Sequence, residues 1–543
     1  MVFICLYLVV IFWLFRTTRA VLFYLYLWQL KEYRLERFLD YFHTAQGKQL
    51  FVNKVFLVKV CILSALLLSL WAIVGDFGFG DYAAGLLFFA ITSPFFALTA
   101  LYALEALRIR QSRRPAFTKK IIFLFGILFI GEILAVLLVH QFSNFLYVVT
   151  SWNLFASLFA YPIGLLAIDL LMPVIVSAVV LGLQPFTVLV RNRRLAKAKA
   201  KRLSFPNVKV VGITGSYGKT STKEFLAHIL SAKFRVLKTP EHQNSEFGVA
   251  NTILNKLAAE HQVFVCEMGA YKKGEIKALA EVAQPQIGIV TGVNEQHLAT
   301  FGSMENLLSA EGGEELADVL PDGGVMFINQ NSRLRPSSYG GQAKITYYGQ
   351  AENVKIEKDK VLFEVDGTKF EVPAYGGHNV QNLLGAIGAA RELGMDLQEI
   401  AKAAASMPLE LSPLKVKKGN GGITIIDSTY SANPDGVIAD LNYLGLYEGK
   451  KVLVMPSLIE LGPAAKEAHN KIGRKIAEVC DLAVITTKEH FEDIKQGADN
   501  SEKVVYMENA QEIMGKIKGA DIILLEGGKE SRLQRALVRT FRD

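Results

Sequence analysis

Apolar residues dominate the first part of the chain, before about residue 190. About 20 consecutive apolar residues are enough to span a bilayer as a helix. The pattern therefore predicts an α-helical transmembrane domain at residues 1–190, with roughly five or six membrane segments. The stretches that carry almost no charge are 60–75, 82–104, 121–143, 141–168 and 170–190.

The chain begins with "MVFICLYLVVIFWLF", which lacks the basic start of a cleaved signal peptide, so we expect a membrane anchor. Basic residues flank the apolar stretches at 108–120 and 191–202 and account for much of the net charge of +8. Such loops tend to stay in the cytoplasm, where they meet anionic lipid. We expect a multi-pass protein of the cell membrane with the lipid bilayer as partner, the domains after the apolar part in the cytoplasm, and no nucleic acid partner.

Glu132 and Asp169 fall inside apolar stretches. An ionisable group within a membrane is costly, so it either has a function or pairs with a neighbouring helix. The sequence leaves both alternatives open. The four cysteines have no paired spacing, which argues against a disulfide framework or a zinc site.

After a basic linker at residues 191–205 the pattern changes. Short β-branched strands alternate with segments of helical periodicity such as "KTSTKEFLAHILSAK" (219–233). This alternation is typical of a mostly parallel sheet covered by helices. The predicted strands are "VKVVGITG" (208–215), "QVFVCEMGA" (262–270), "QIGIVTGV" (286–293) and "GGVMFIN" (323–329).

Residues 344–374 interrupt this rhythm and predict a meander of strands with a tight turn near Asp366-Gly367. A helix at 378–394 then completes an α/β domain at 206–408, which contains the candidate phosphate loop (P-loop) described below. A second α/β unit at 409–543 is predicted to form a doubly wound, Rossmann-like C-terminal domain. Its predicted strands are 422–428, 451–457, 481–487, 503–507 and 520–527.

The segment "GITGSYGKT" (212–220) joins a predicted strand to a predicted helix. Glycine-containing turns in this context direct backbone N–H groups and a helix N-terminus toward a phosphate. Lys219 occupies the position of a lysine that neutralises phosphate oxygens, and Thr220 that of a hydroxyl that holds Mg²⁺. The match to the general phosphate-loop pattern is imperfect, because position 213 is isoleucine.

In this Thr-Gly-x-x-Gly-Lys-Thr variant, and in further segments that follow in order, residues 206–543 resemble the Mur ligase family. Its members are ATP-dependent, amide-bond-forming enzymes of peptidoglycan (cell-wall) synthesis. The further segments are "HQNSEFGVANTIL" (242–254), "CEMGAYKKGEI" (266–276), "TGVNEQHLATFGS" (291–303), "GGHNVQNLLGAIGAA" (376–390), "IIDSTYSANPDG" (425–436) and "LIELGPAAKEAHNKIG" (458–473).

The resemblance implies catalytic roles for Lys219, Glu267 and His297. It implies that Thr220, Glu267 and His297 hold Mg²⁺ and that ATP is the second cofactor. Glu267 also ends a predicted strand, where open α/β sheets place their ligands. The nucleotide-binding residues that it implies are Thr214, Gly215, Ser216, Tyr217, Gly218, Lys219, Thr220, Ser221, Asn294, Asn379, Asn382, Asp427 and Asn433. Among these, Asn379 and Asn382 correspond to adenine-contacting positions, and Asp427 to a residue that reaches ATP from the last domain.

Three features depart from the family pattern. The transmembrane domain takes the place of a domain that binds a UDP-sugar. Residues 307–321 contain no lysine where the family has a carbamylated lysine that bridges a second Mg²⁺. Two alternatives follow: Glu311 or Glu314 supplies the missing oxygen ligand, or the second metal is bound weakly. Residues 409–419 lack the Gly-Arg pair of the family, and Lys415 is the nearest cation.

The activity that the resemblance implies is activation of a substrate carboxylate as an acyl phosphate, followed by its joining to an amine. The last two segments favour addition of D-alanyl-D-alanine to a UDP-muramoyl tripeptide. The departures keep alternatives open: another amide, of poly-γ-glutamate or lipid-linked type, an ATP-driven membrane transport component, or a non-catalytic partner that kept the fold. A GTPase is disfavoured because no Asn-Lys-x-Asp segment follows the loop.

Overall fold

The computed structural model describes residues 2–30, 33, 35, 38–39, 54–74, 93–94, 96–105, 114–149, 154–241, 243–332, 334–412, 414–419, 422–429 and 432–527. The chain divides into two compact units, Met1–Leu189 and Val190–Asp543.

The first unit is helical. Four helical stretches of the described residues are long and apolar enough to cross a membrane: Tyr7–Leu30, Lys54–Trp71, Lys119–Phe145 and Ala160–Leu203. Residues 75–92, which include part of a further predicted segment, lie outside the described part of the chain. The helices are α1 (Val2–Leu30), α2 (Lys54–Val74), α3 (Phe96–Glu105), α4 (Lys119–Val149), α5 (Leu154–Gly182) and α6 (Gln184–Leu203), the last of which continues past Leu189.

Charged side chains from different helices of the first unit pair in its interior. Asp169 of α5 forms ion pairs with Arg16 of α1 and with Lys59 of α2, whose Nζ lies 3.0 Å from Asp169 Oδ2. Lys59 Nζ also lies 2.7 Å from Glu105 Oε2. Glu132 of α4 accepts a hydrogen bond from the Thr18 hydroxyl at 2.8 Å. Both acidic residues of the apolar stretches are therefore paired between helices, which is one of the two alternatives that the sequence left open.

The part of α6 after residue 190 belongs to the second unit and packs within it. The Arg202 guanidinium is buried and donates to the Ala283 carbonyl at 3.0 Å, and Lys201 donates to the Leu254 carbonyl at 2.9 Å. The stretch that we expected to be a linker is thus helical as far as Leu203. Its basic residues are used to attach the helix to the adjacent domain.

A six-stranded parallel sheet forms the centre of the next domain, and its strand order is β2-β3-β1-β4-β5-β6. Its strands are rich in buried β-branched residues because helices cover both faces. The strands are β1 (Lys209–Thr214), β2 (Val236–Lys238), β3 (Val263–Glu267), β4 (Ile287–Val290), β5 (Val325–Asn329) and β6 (Lys344–Tyr348). The helices are α7 (Lys219–Ser231), α8 (Glu246–Lys256), α9 (Glu275–Ala283), α10 (Leu298–Phe301), α11 (Met304–Ala310), α12 (Glu314–Ala317), α13 (His378–Glu392) and α14 (Leu397–Ala405).

The predicted meander is wrong in its first strand. Strand β6 pairs in parallel with β5 and completes the central sheet. Only β7 (Glu352–Ile356), β8 (Lys360–Val365) and β9 (Thr368–Pro373) form the antiparallel meander. The tight turn is confirmed, because Asp366 and Gly367 both have positive φ, 48° and 74°. Alternation within a strand predicts its two faces but not its partner.

The C-terminal domain contains a second six-stranded sheet of order β10-β11-β15-β12-β13-β14. The five predicted strands are confirmed and run parallel, whereas β10 was not predicted and pairs antiparallel with β11. The strands are β10 (Lys415–Lys418), β11 (Thr424–Ser428), β12 (Lys451–Met455), β13 (Leu482–Ile485), β14 (Val504–Tyr506) and β15 (Ile522–Glu526). The helices are α15 (Pro434–Leu444), α16 (Ala465–Val479), α17 (Phe491–Gly497) and α18 (Ala510–Lys516).

Candidate functional site

The loop between β1 and α7 has a backbone that requires glycine at two positions. Gly215 has φ of 138° and Gly218 has φ of 81°. A Cβ at Gly218 would lie 2.4 Å from Asn382 Oδ1, and one at Gly215 would lie 2.1 Å from the Thr291 hydroxyl. No side chain fits at such distances, so the loop lies directly against α13 and the segment after β4.

Hydrogen bonds hold the loop in this shape. The Ser216 N–H donates to the Gly292 carbonyl at 2.7 Å, and the Thr291 hydroxyl donates to the Tyr217 carbonyl at 2.5 Å. Lys219 Nζ donates to the Ser216 carbonyl at 2.9 Å. Helix α7 begins at Lys219, so its first N–H groups are located where the loop ends. The predicted residues Thr214 and Ser221, at the two ends of this segment, are buried.

Thr220 and Glu267 meet beside the loop. Glu267 ends β3, where its Cα is in register with Ile213 of β1. Its Oε1 accepts hydrogen bonds from the Thr220 hydroxyl at 3.0 Å and from Asn244 Nδ2 at 2.9 Å. Its Oε2 lies 3.2 Å from Nζ of Lys223, which is fully buried. The Glu267 carboxylate is therefore positioned by three side chains, of which only Thr220 was predicted.

His297 is connected to the loop through Glu311. His297 Nδ1 lies 2.9 Å from Glu311 Oε1, and the Ser216 hydroxyl donates to Glu311 Oε2 at 2.5 Å. Burial opposes ionisation of the Glu311 carboxyl, but His297, Lys219 and Ser216 together hold its pKa below the usual value. Glu311 is thus an ionised, buried carboxylate at the site, whereas Glu314 lies near Tyr339. Of the two candidate residues, Glu311 is the one that contacts both His297 and Ser216.

The two asparagines of α13 form a short chain of hydrogen bonds next to the loop. Asn382 Nδ2 donates to Asn379 Oδ1 at 3.0 Å, and Asn379 Nδ2 donates to the Tyr375 carbonyl at 2.6 Å. Asn382 is the member that contacts the loop, at Gly218. Both side chains are buried, so their orientations are restricted by packing as well as by hydrogen bonds.

Asn294 links the central domain to the C-terminal domain. Its side chain is fully buried, and Nδ2 donates both to Asn433 Oδ1 and to Asp435 Oδ2, each at 2.9 Å. Its Oδ1 accepts from the Gln296 N–H at 3.1 Å, which starts the helical turn that carries His297. The structure therefore brings Asn294 and Asn433 into direct contact.

Asp427 makes its hydrogen bonds within the C-terminal domain. Lys417 Nζ lies 2.9 Å from Asp427 Oδ2, and the Thr429 hydroxyl donates to Asp427 Oδ1 at 2.7 Å. Burial opposes ionisation of this carboxyl, but these two partners outweigh it and lower its pKa. Lys417, and not Lys415, is the cation that engages Asp427, although Lys415 is its Cα partner across β10 and β11.

The donors at the loop suit Mg²⁺ bound together with a nucleotide. In the part of the chain that the structure describes, no three His, Cys, Asp or Glu side chains converge as a ready metal cage. Mg²⁺ in nucleotide sites is typically held by one or two carboxylates together with substrate phosphates. The adjacent hydroxyl of Thr220 and carboxylate of Glu267 are hard oxygen ligands of this type.

Sequence reasoning missed several residues of the site: Lys223, Asn244, Thr291, Asp435 and Lys417. A signal was available for Lys223, because a residue three positions after Thr220 lies on the same face of a helix. No comparable signal existed for Lys417, since its contact depends on the pairing of β10 with β11.

Comparison with known proteins places this site within a recognised pair of domains. Residues 213–390 match the Mur ligase middle domain, and residues 414–528 match the Mur ligase glutamate ligase domain. The chain is 31% identical over 294 residues to UDP-N-acetylmuramoyl-tripeptide–D-alanyl-D-alanine ligase of Bacillus subtilis, a match that spans 52% of this chain and 63% of that protein. The chain thus covers less than two thirds of the length of this relative.

Solved structures of MurF ligases are also similar to this chain. A crystal structure of MurF from Acinetobacter baumannii has a TM-score of 0.59 and 25% identity, over 65% of this chain and 80% of that one. MurF ligase from Thermotoga maritima in complex with ADP has a TM-score of 0.56 and 24% identity, over 64% and 82% respectively. The second likeness supports the fold alone.

Proposed function

The chain belongs to the Mur ligase family through residues 213–390 and 414–528, and from this premise we propose that it is an ATP-dependent ligase of peptidoglycan precursor synthesis. The proposed reaction adds D-alanyl-D-alanine to a UDP-muramoyl tripeptide, as the names of its relatives indicate for those proteins. The observation that carries the proposal is the Thr220–Glu267 pair beside a glycine-dependent loop at the carboxyl edge of the central sheet.

The loop and the start of α7 are proposed to bind the phosphates of ATP. Backbone N–H groups at a helix N-terminus attract phosphate, and Lys219 neutralises its charge. Thr220 and Glu267 would hold Mg²⁺, which supplies charge neutralisation at the phosphates. His297 Nδ1 interacts with Glu311, so Nε2 is the ring nitrogen that could bind the metal. A carboxylate that orients a ligand histidine in this way is common in metal sites.

The chemistry consists of two displacements. An oxygen of the substrate carboxylate attacks the γ-phosphorus, the bond to the β–γ bridging oxygen breaks, and ADP leaves. The amine nitrogen of the dipeptide then attacks the acyl carbon, phosphate leaves and the nitrogen loses a proton. Lys219 and the N–H groups of α7 stabilise the charge that develops on the phosphate oxygens, so catalysis is mainly positioning and electrostatics.

The contact of Asn294 with Asn433 and Asp435 supports a role for the C-terminal domain in the reaction. We propose that this domain moves relative to the central one during turnover and supplies Asp427 and Asn433 to the nucleotide. Asn379 and Asn382 are the proposed adenine contacts. Closure of this kind assembles the catalytic site and excludes water, and the associated motions limit the rate of many enzymes.

We further propose that the protein resides in the cell membrane as a multi-pass protein, with its ligase domains in the cytoplasm. Large apolar side chains of the first unit are exposed on its surface, including Leu68, Leu138 and Val148 at 65%, 67% and 76%. Water disfavours such a surface and lipid accommodates it. The number of membrane segments, roughly five or six, remains a prediction.

A second candidate is a Mur-type ligase that acts on a lipid-linked substrate or makes another amide, such as a poly-γ-glutamate-type product. It is favoured by the apolar helices of residues 1–189, which lie outside both matched domains. An ATP-driven transport component is the third alternative, and the assay below separates all three.

The test uses the full-length protein in nanodiscs with ATP, UDP-muramoyl tripeptide and D-alanyl-D-alanine. We expect stoichiometric ADP and UDP-muramoyl pentapeptide, abolished in Lys219→Ala. Lys233→Ala is the matched control, because Lys233 is an exposed lysine that pairs with Glu399. ADP release that requires a lipid-linked acceptor would favour the second candidate, a ligase that acts on a lipid-linked substrate. Lipid-stimulated ATP hydrolysis without any acceptor would overturn the ligase proposal.

A further inference from the structure

Lys223 is a buried cation directly behind the proposed Mg²⁺ site. It lies one helical turn after Thr220 in α7, and its side chain is fully buried. Nζ lies 3.2 Å from Glu267 Oε2 and 3.2 Å from Glu224 Oε1. These contacts are ion pairs without well-aligned hydrogen bonds. Lys223 therefore acts on Glu267 mainly through its charge.

The charges around Lys223 alternate in sign. Glu224 is shared with Lys238, with which it forms a further ion pair. The sequence of contacts is Lys238, Glu224, Lys223 and Glu267, so two ammonium groups face two carboxylates. Glu267 is thus neutralised by the protein itself, while its Oε1 is oriented by Thr220 and Asn244.

We infer that Lys223 sets the affinity of this site for divalent cations, keeping it weak for the free metal so that binding depends on the phosphates of a nucleotide. A fixed positive charge 3.2 Å from a ligand oxygen repels a second cation, and burial makes this repulsion strong because solvent screens it little. The negative charge of a nucleotide phosphate offsets the repulsion. This inference rests on the proposed nucleotide and metal site.

The test measures binding of Mn²⁺, used as the metal probe, to the full-length protein by electron paramagnetic resonance, with and without ADP. In Lys223→Met, which keeps the length of the side chain and removes its charge, Mn²⁺ binding without ADP should become at least tenfold tighter. In Glu224→Gln, which removes a negative charge that competes for Lys223, it should become at least threefold weaker. Lys233→Met is the exposed control and should leave both affinities unchanged.

Opposite shifts in the two variants support the inference, because a loss of folding would weaken binding in both. An affinity in Lys223→Met that is equal to or weaker than that of the wild type, with an unchanged thermal unfolding midpoint, overturns it. Should Lys223→Met fail to fold, an unchanged or tighter affinity in Glu224→Gln overturns it instead. If the wild-type protein binds no Mn²⁺ even with ADP, the proposed metal site itself fails, and the inference fails with it.

Discussion

Replacing Asn294 by alanine should separate the C-terminal domain from the central one. The side chain of Asn294 is fully buried and donates one hydrogen bond to Asn433 and one to the charged Asp435, both at 2.9 Å. A neutral hydrogen bond contributes about 1 kcal/mol and one to a charged group about 2 kcal/mol. Loss of both hydrogen bonds therefore costs about 3 kcal/mol. This lowers the equilibrium constant for contact between the central and C-terminal domains on the order of 100-fold.

Hydrogen exchange followed by mass spectrometry measures this effect. Peptides that cover residues 291–301 and 432–444 should exchange faster in Asn294→Ala, and the rate of product formation should fall. Peptides from β13 and β14 should be unaffected, because these strands lie at the edge of the C-terminal sheet opposite β11, the strand before Asn433. Asn470→Ala is the control, since its side chain donates a solvent-exposed hydrogen bond to the Lys466 carbonyl within the same helix.

The reasoning would be refuted by Asn294→Ala protein in which both peptides exchange at the wild-type rate. Unchanged exchange with lost activity would assign Asn294 a role at the nucleotide and not between the domains. Faster exchange throughout the central domain would instead indicate general destabilisation.

Other consequences concern the loop, the helical unit and the response to acid. Gly218→Ala should weaken ADP binding at least tenfold by calorimetry, because the new Cβ would lie 2.4 Å from Asn382 Oδ1 on a backbone with φ of 81°. Asp169→Asn should destabilise the first unit by about 3 kcal/mol or more, since it leaves the buried Lys59 with one carboxylate fewer; thermal unfolding in nanodiscs measures this. Burial lowers the pKa of His469 to about 4 in the folded protein. In the unfolded chain the same imidazole is protonated near pH 6.5. The contribution of the neutral His469 ring to the free energy of unfolding is therefore complete above about pH 6.5. It declines by about 3 kcal/mol as the pH falls toward about 4. Chemical unfolding across this range should show the decline, and His469→Gln should lack it.

The local order of strands, helices and the phosphate-binding segment could be predicted from the sequence. Apolar runs long enough to form spanning helices indicate the first unit, and alternating strand and helix patterns indicate both sheets. These patterns are visible in the sequence because burial of one face of an element requires apolar residues at the period of that element. The segment "GITGSYGKT" predicted a glycine-containing loop between a strand and a helix, and the structure shows that two of its glycines, Gly215 and Gly218, have positive φ and no room for a Cβ.

Which elements become neighbours was decided by the tertiary structure. The pattern of residues 344–348 predicted a strand, yet only the folded chain shows that this strand pairs with β5 and not with β7. In the same way, Lys417 reaches Asp427 because β10 pairs antiparallel with β11. Pairing depends on contacts between distant segments, and the period of a single segment carries no information about its partner.

The charged residues of the site likewise divide into those that the sequence predicted and those whose contacts only the tertiary structure shows. Lys219 and Thr220 were predicted from the phosphate-loop motif, because phosphate and Mg²⁺ require those residue types at those positions. The roles of Glu267 and His297 were implied by the resemblance to the Mur ligase family. The contacts that hold these residues could not be predicted: Lys223 lies beside Glu267, and Glu311, one of two candidates from the sequence, lies between His297 and Ser216. Their effect arises only when folding removes water from around them, since burial is what makes a neighbouring charge strong.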